Sequence, residues 1–226
     1  MTGAGARPFV IAVDGPSAAG KGTLARRLAA HYGFAFLETG LLYRAVGWRL
    51  LAGGQDPADP KAAVAAATQI TMADLDDAAL RREDVAQAAS KVAAIPEVRR
   101  QLLGLQRDFA ARPTLPDGRP APGIVLDGRD IGTVVCPDAD VKIFVTASVE
   151  ERARRRYKEL LERGENAIYS RVLQDMKDRD NRDSGRVVSP MVPAADALVI
   201  DSTALDADAA FAAAVELVDE RRGRVD

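Results

Sequence analysis

The stretch "VDGPSAAGKGT" at residues 13–23 constrains this chain more than any other. Gly15 and Gly20 stand five apart, Lys21 follows directly, and Gly22 and Thr23 come next. Ahead of it runs Phe9-Val10-Ile11-Ala12-Val13, an apolar segment short enough for a buried strand. Behind it Leu24, Leu28 and Tyr32 recur at i, i+4, i+8 as one face of a helix, and Gly33 offers a stop. A glycine-rich turn from strand to helix lets successive backbone N–H groups surround an oxyanion, and the helix N-terminus adds partial positive charge. The spacing therefore predicts a phosphate-binding loop made of Gly15, Pro16, Ser17, Ala18, Ala19, Gly20, Lys21, Gly22 and Thr23. Lys21 supplies a full charge for the terminal phosphates. The hydroxyl that can serve Mg²⁺ comes one residue later than the common pattern, at Thr23.

Strands and helices alternate along the rest of the chain. Apolar runs at 35–37, 124–126, 141–145 and 197–200 read as further strands, and helical periodicity covers 40–52, 84–94, 97–111, 149–163, 168–181 and 207–221. Ser148 with Glu151 predicts a capping box, and Pro96 sits where a first helical position tolerates it. Five short apolar strands interleaved with helices predict an α/β fold, a parallel sheet covered on both faces. Segment 55–83 is rich in Ala and Asp with weak periodicity and reads as an insertion rather than core. A chain of 226 residues with net charge −2 carries no global pull toward nucleic acid or an anionic membrane. The lone Cys136 excludes an internal disulfide and suits a reducing compartment. No apolar run reaches the length of a transmembrane helix, and the N-terminal stretch lacks a signal-peptide h-region because its apolar run breaks at Asp14. A cytoplasmic protein is expected.

What lies beyond the terminal phosphate is suggested by arginines. A guanine-reading N-K-x-D stretch is absent, which argues against a GTPase switch. Instead, "ETGLLYR" (38–44) carries Arg44, "LDGRDIGTVV" (126–135) carries Asp127, Arg129 and Asp130, and "KDRDNRDSGR" (177–186) carries Arg179, Arg182 and Arg186, read as one helical face with Asp183 beside it. Two of these clusters follow strands, where open α/β sheets bind ligands. Arginine suits bidentate recognition of phosphate, so the surplus implies a second phosphorylated substrate. These residues alone leave open a kinase for CMP, UMP, AMP or a non-nucleotide metabolite, and also a non-catalytic nucleotide-binding module.

Longer stretches narrow the choice. "DGPSAAGKGT", "ETGLLYR", "ASKVAAIPEVRRQLLGLQR", "LDGRDIGTVVCPDADVKIFVTAS" and "RDNRDSGRVVSPMVPAADALVIDST" together resemble the bacterial cytidylate kinases, a nucleoside-monophosphate kinase family of P-loop proteins. The match runs in order from residue 8 to residue 203, and "DGRDIGTVV" and "PADALVIDST" are its most specific parts. Gly22-Thr23 after Lys21 is similar to this family's form of the loop. The resemblance implies a P-loop NTPase-like fold with a monophosphate-binding insert at 57–92 and a short lid at 150–167. It implies transfer of the γ-phosphoryl group of ATP to CMP or dCMP, in pyrimidine nucleotide metabolism, by a monomer with no nucleic-acid or membrane partner.

By the same resemblance, MgATP lies on the loop with Lys21 at the β- and γ-phosphates, and Thr23 and Asp127 serve Mg²⁺. Arg44, Arg129 and Thr39 hold the acceptor. Arg179 and Asp183 contact its sugar, and Arg186 approaches the phosphates. Arg152, Arg155 and Arg156 belong to the lid. Lys21, Arg129, Arg155 and Arg179 are the implied catalytic residues. Ser90, Arg99 and Asp130 surround the base edge, where a carboxylate accepts from the cytosine N4 amino group. Four departures stand out: Ala18 where the family often has glycine, Glu38 for a usual aspartate, Cys136 for a larger apolar residue, and an insert that looks shorter than in many relatives, which carry a small antiparallel sheet there. His31, the only histidine, reads as a helix-end residue and Trp48 as packing.

Overall fold

The computed structural model describes residues 7–186 and 188–223; residues 1–6 of the N-terminal stretch read above for an h-region lie outside them. Each of the five apolar runs forms a strand: β1 (Phe9–Asp14), β2 (Ala35–Glu38), β3 (Gly123–Asp127), β4 (Val141–Thr146) and β5 (Leu198–Asp201). The sheet order is β2-β3-β1-β4-β5, and every neighbouring pair is parallel. Around it pack α1 (Lys21–Tyr32), α2 (Gly40–Ala52), α3 (Pro60–Ala67), α4 (Glu83–Val92), α5 (Pro96–Ala111), α6 (Val149–Glu162), α7 (Tyr169–Ser184) and α8 (Ala207–Arg222).

Successive strand residues point to opposite faces, and both faces here are apolar. Ile11 and Val13 pack with Leu24 and Leu28 of α1 and with Ala214 and Val218 of α8. Val10 and Ala12 pack the other way, with Leu126, Ile131 and Ala110 of α5. Register sets Asp127 beside both Val13 and Glu38, so the carboxyl ends of β1, β2 and β3 finish level. The chain leaves β1 toward β2, returns to insert β3 between them, then crosses to β4 on the other flank of β1. That reversal opens a crevice above the end of β1.

Segment 55–83 does more than its weak periodicity predicts. Asp59 caps α3 by accepting from the Lys61 N–H, Pro60 takes the first helical position, and two single 3₁₀ turns follow at Met72–Asp76 and Ala78–Arg81. Ala63, Ala66, Ala67, Ile70 and Leu80 are buried with Leu42, Val46 and Leu50 of α2 and with Val98 and Leu102 of α5, forming a second core away from the sheet. Alanine occupies the exposed position 65 as well as the buried 63, 66 and 67, so the helix shows little contrast between its faces in the pattern. Among residues 55–92 there is no strand. Leu42, Leu50 and Leu102 are fully buried, each contributing about 2–3 kcal/mol by removal from water.

Two other expectations change in detail. Ser148 caps α6 by accepting from the Glu151 N–H at 3.3 Å, but the Glu151 carboxylate turns to Arg154 and Arg155 instead of completing the box. α7 ends at Ser184, so Arg186 lies past the helix and does not share a helical face with Arg179 and Arg182. His31 sits edge-on to Tyr32 and Phe211, and Trp48 lies under Arg82 against the second core, both packing roles.

Gly47 is where α2 and α4 meet. A Cβ there would stand 2.9 Å from the Ala88 Cβ and 3.0 Å from the Ala89 backbone nitrogen. Gly47→Val should therefore destabilise the protein by about 2–3 kcal/mol through overpacking, read as a lowered urea midpoint at unchanged m-value.

Candidate active site

The loop between β1 and α1 is shaped by lack of room. Gly15 has φ +139°, and a Cβ on it would fall 2.0 Å from the Val145 carbonyl oxygen on β4, so only glycine passes. Gly20 has φ +91° and precedes Lys21, the first residue of α1. Between them Ala18 adopts φ 60°, the left-handed region. The substitution of alanine for the family's frequent glycine therefore falls on a position that does need positive φ.

Lys21 is 8% exposed, with its Nζ 3.6 Å from Asp127 Oδ1 at the end of β3. Burial, and Arg129 after it, lower the lysine to a pKa of about 8. Asp127 Oδ1 is itself buried and accepts no hydrogen bond among the described residues. Thr23 lies beside it at the mouth of the same cavity. An unbonded carboxylate oxygen and a hydroxyl near a phosphate loop are hard oxygen donors of the kind Mg²⁺ takes alongside phosphate and water. The residues fit that ion.

Asp14, the last residue of β1, accepts from the backbone N–H groups of Ile131 and Gly132, both at 2.8 Å. Burial raises its carboxyl to a pKa of about 6 in spite of those two bonds. It anchors a wide helical turn at Ile131–Val135, and so sets the short segment that carries Arg129 and Asp130. Thr39 closes the β2 side: its Oγ1 donates to the Asp127 carbonyl at 2.8 Å. Sequence reading missed Asp14 as a positioning group, although its place one residue before Gly15 was in view.

A cavity of about 420 Å³ opens over these strand ends. Lys21, Arg44, Arg129, Arg179 and Arg186 line it together with Thr39, Ser90, Arg99, Asp130 and Asp183. The three sequence clusters thus converge. Asp183, 2% exposed, is the hub: it accepts from Arg129 Nε at 3.2 Å and from Arg186, and lies 3.9 Å from Arg179 Nε. Burial would raise its pKa, but Arg129, Arg186 and Arg179 hold it below the usual carboxylate range. Burial, then Arg129, lower Arg179 to about 10. Arg44 donates to the Leu80 carbonyl at 2.8 Å. On the far wall Arg99 pairs with Asp130 at 2.5 Å and also lies over the Tyr43 ring.

These guanidinium groups are not saturated. Arg99 Nε, Arg179 Nε, and Arg186 Nε and Nη1 are buried without an acceptor among the described residues. Buried polar groups are nearly always paired, so four such donors on residues that line one cavity call for an acceptor-rich, multiply anionic ligand.

Of Arg152, Arg155 and Arg156 on α6, only Arg156 lines this cavity, and its guanidinium is already paired. Arg152 is buried and bridges Asp180, the Ala147 carbonyl and the Ser17 carbonyl. Arg156 pairs with Glu83 of α4 and with Glu159. Arg155 bonds Glu151 and both the hydroxyl and carbonyl of Ser202. It lines a second, less polar cavity of about 360 Å³ on the other side of the loop, reached past Gly20 and Thr23 and walled by Leu24 and Leu205. Arg182 also leaves the cluster, turning to Ser90. Ser202 donates to the Ala19 carbonyl at 2.8 Å and so braces the loop from β5; no role was read for it in the sequence.

Comparison with known proteins follows the same lines. The family model described as cytidylate kinase matches residues 11–220. A protein from Paramagnetospirillum magneticum named cytidylate kinase is 61% identical over 213 residues, covering 94% of this chain and 99% of its own. Proteins of the same name from Methylocella silvestris and Rhodospirillum rubrum are 57% and 58% identical, each over 93% of this chain. Among solved structures, an uncharacterized protein from Eubacterium ventriosum has a TM-score of 0.51 and 14% identity, covering 93% of this chain and 98% of that one, a likeness of fold alone.

Ala18 gives a test of the loop. A left-handed alanine costs about 1–2 kcal/mol, and glycine's extra freedom in the unfolded chain returns roughly half of that. Ala18→Gly should raise stability by about 0.5–1 kcal/mol in chemical denaturation, and a loss of stability would contradict the strained geometry.

Proposed function

The chain belongs to the cytidylate kinase family, and from that membership we propose how its own residues divide the work. The enzyme transfers the γ-phosphoryl group of ATP to CMP or dCMP, giving ADP and CDP or dCDP. The acceptor's 5′-phosphate oxygen attacks the γ-phosphorus as the bond to the β–γ bridging oxygen breaks. Little proton chemistry is required, so positioning and charge cancellation supply most of the rate.

The observation that carries the assignment of residues is the set of unsatisfied buried guanidinium donors next to a phosphate loop. We assign the triphosphate to the backbone of residues 15–23 and to Lys21. Thr23 and Asp127 would hold Mg²⁺, which when bound neutralises charge on the β- and γ-phosphates. Arg129, Arg179 and Arg186 have free donors or like-charge neighbours that an acceptor phosphate relieves, and Arg44 flanks them. Asp183 keeps the group in place. The less polar second cavity suits the adenine of ATP, with Arg155 and Leu205 at its walls. That gives Arg155, on the lid segment, a position on the ATP side of the loop.

At the base, Arg99 holds one oxygen of Asp130, leaving the other to accept from cytosine N4. Ser90 completes that edge. The insert at 57–92 forms the monophosphate side and the lid at 150–167 the opposite side. The Arg156–Glu83 pair and the Arg163 bond to the Arg81 carbonyl, which join them, support that division. A monomer working in the cytoplasm with small-molecule substrates alone is in keeping with the near-balanced charge; no described helix is long and apolar enough to cross a membrane.

ADP release with CMP, dCMP, UMP and AMP offered separately tests the substrate assignment, with CMP and dCMP expected to turn over fastest. Lys21→Ala should fold yet lose about 10²-fold in kcat, the scale of one removed transition-state charge partner. Arg129→Ala should raise KM for CMP far more than for ATP; equal effects would place it elsewhere.

Asp130→Asn probes base choice. Uracil presents O4 where cytosine presents the N4 amino group, so the carboxylate repels one and accepts from the other. An amide can do either. The ratio of kcat/KM for CMP over UMP should narrow about thirtyfold, equivalent to roughly 2 kcal/mol. A common loss for both substrates would make Asp130 structural.

A further inference from the structure

Arg182 is the one member of the 177–186 cluster that neither lines the cavity nor bonds Asp183. It sits half-buried on the flank of α7, and its Nε donates to Ser90 Oγ on α4 at 3.1 Å. Ser90 is 3% exposed and does line the cavity, between Ala89, Ala93 and Arg99. We propose that Arg182 is a positioning residue for cytosine selection, acting through the Ser90 hydroxyl without touching the nucleotide. The proposal rests on the placement of Ser90 at the base edge.

The chemistry follows from what each group can do. A serine inside a helix turns by default to the carbonyl four residues back, here Ala86, which aims the hydroxyl along the helix. A guanidinium N–H is a donor only, so in this contact Ser90 must accept. That bond is charge-assisted, roughly twice as strong as a neutral one, and it holds the oxygen against back-bonding. With one lone pair occupied by a cation, the Ser90 proton is left to be given into the cavity, and the polarised hydroxyl gives it more strongly. The ring nitrogen N3 is an acceptor in cytosine and carries a proton in uracil. A serine held as donor therefore favours the first and opposes the second, adding to the discrimination made by Asp130 on the neighbouring atom.

The arrangement also explains why the residue lies on α7. Arg179, about one turn earlier on the helix, and Asp183, the next residue, line the phosphate and sugar side of the same cavity. Arg182 carries that rigid helix across to α4, so the hydroxyl that reads the base is referenced to the element that holds the phosphate-side arginines. A plain tie between two helices predicts something different: a loss of stability, with one common factor on every substrate.

Substitution by methionine keeps the aliphatic stem and removes the donor. Substitution by glutamine puts an amide nitrogen where Arg182 has Nε, restoring the donor without the charge. Four proteins are compared with wild type for kcat and KM with CMP, UMP and ATP: Arg182→Met, Arg182→Gln, Ser90→Ala and the double variant Ser90→Ala/Arg182→Met. Circular dichroism and a urea melt check that each is folded. Arg182→Met should raise KM for CMP and narrow the CMP-over-UMP ratio of kcat/KM about tenfold, the size of one charge-assisted hydrogen bond, with KM for ATP unchanged. Arg182→Gln should recover most of the ratio. In the Ser90→Ala background, Arg182→Met should narrow the ratio no further. A common loss for CMP and UMP, or equal narrowing with and without Ser90, would overturn the role of Arg182. A ratio untouched by Ser90→Ala would overturn instead the placement of Ser90 at the base.

Discussion

Lys21, Arg44, Arg129, Arg179 and Arg186 crowd one cavity at the carboxyl edge of the sheet, where buried Asp127 faces Lys21 and buried Asp183 faces Arg129, Arg179 and Arg186. Burial first, and then repulsion from Arg129, depress the pKa values of Lys21 and Arg179. Around the cavity ten lysine and arginine side chains outnumber seven carboxylates. The remainder is a standing demand for anions, and the enzyme's substrates are chains of phosphate. Binding and charge cancellation are thus one event at this site, which is what phosphoryl transfer needs.

The sheet makes such crowding possible. Parallel strands covered on both faces are rigid, and their register levels the ends of β1, β2 and β3, so Glu38 and Asp127 emerge side by side and Asp14 one residue beyond Val13, the β1 partner of Asp127. Asp14 then fixes the turn after β3 through two backbone N–H groups, and Thr39 ties the end of β2 to the Asp127 carbonyl. Each cationic side chain is therefore carried by a backbone that cannot yield to the repulsion. Gly15 plays the corresponding part for the phosphate loop, pressed against Val145 with no space for a side chain.

Across the cavity, the 57–92 segment and the α6–α7 pair are linked by Arg156–Glu83, Arg163 to the Arg81 carbonyl, and Arg182–Ser90. The partly exposed pair contributes little to stability because water competes for both partners. Such contacts are well suited to positioning: they set where a side chain points at small energetic cost. The division between a packed second core in the insert and polar ties at its rim follows that logic.

Much of this was legible in the sequence, for identifiable reasons. Strands 9–13 and 124–126 announce themselves because a strand buried on both faces is continuously apolar, 141–145 does so with Lys142 as its one break, and α2 forms at its expected bounds of 40–52. The phosphate loop is a local backbone requirement, so glycines at 15 and 20 and a lysine at 21 declare it, and the long stretches around Arg129 and Arg179 declare the family. Helix α3 was hidden, since alanines stand on its exposed face as well as its buried one and give no polar–apolar contrast. Only the tertiary structure decided which arginine faces which partner. Arg152, Arg155, Arg156 and Arg182 look alike in sequence, yet one is buried on Asp180, one braces Ser202, one reaches Glu83 and one steers Ser90. A guanidinium on a long flexible stem takes its direction from whatever acceptor lies across the gap, and those acceptors come from elements tens of residues away.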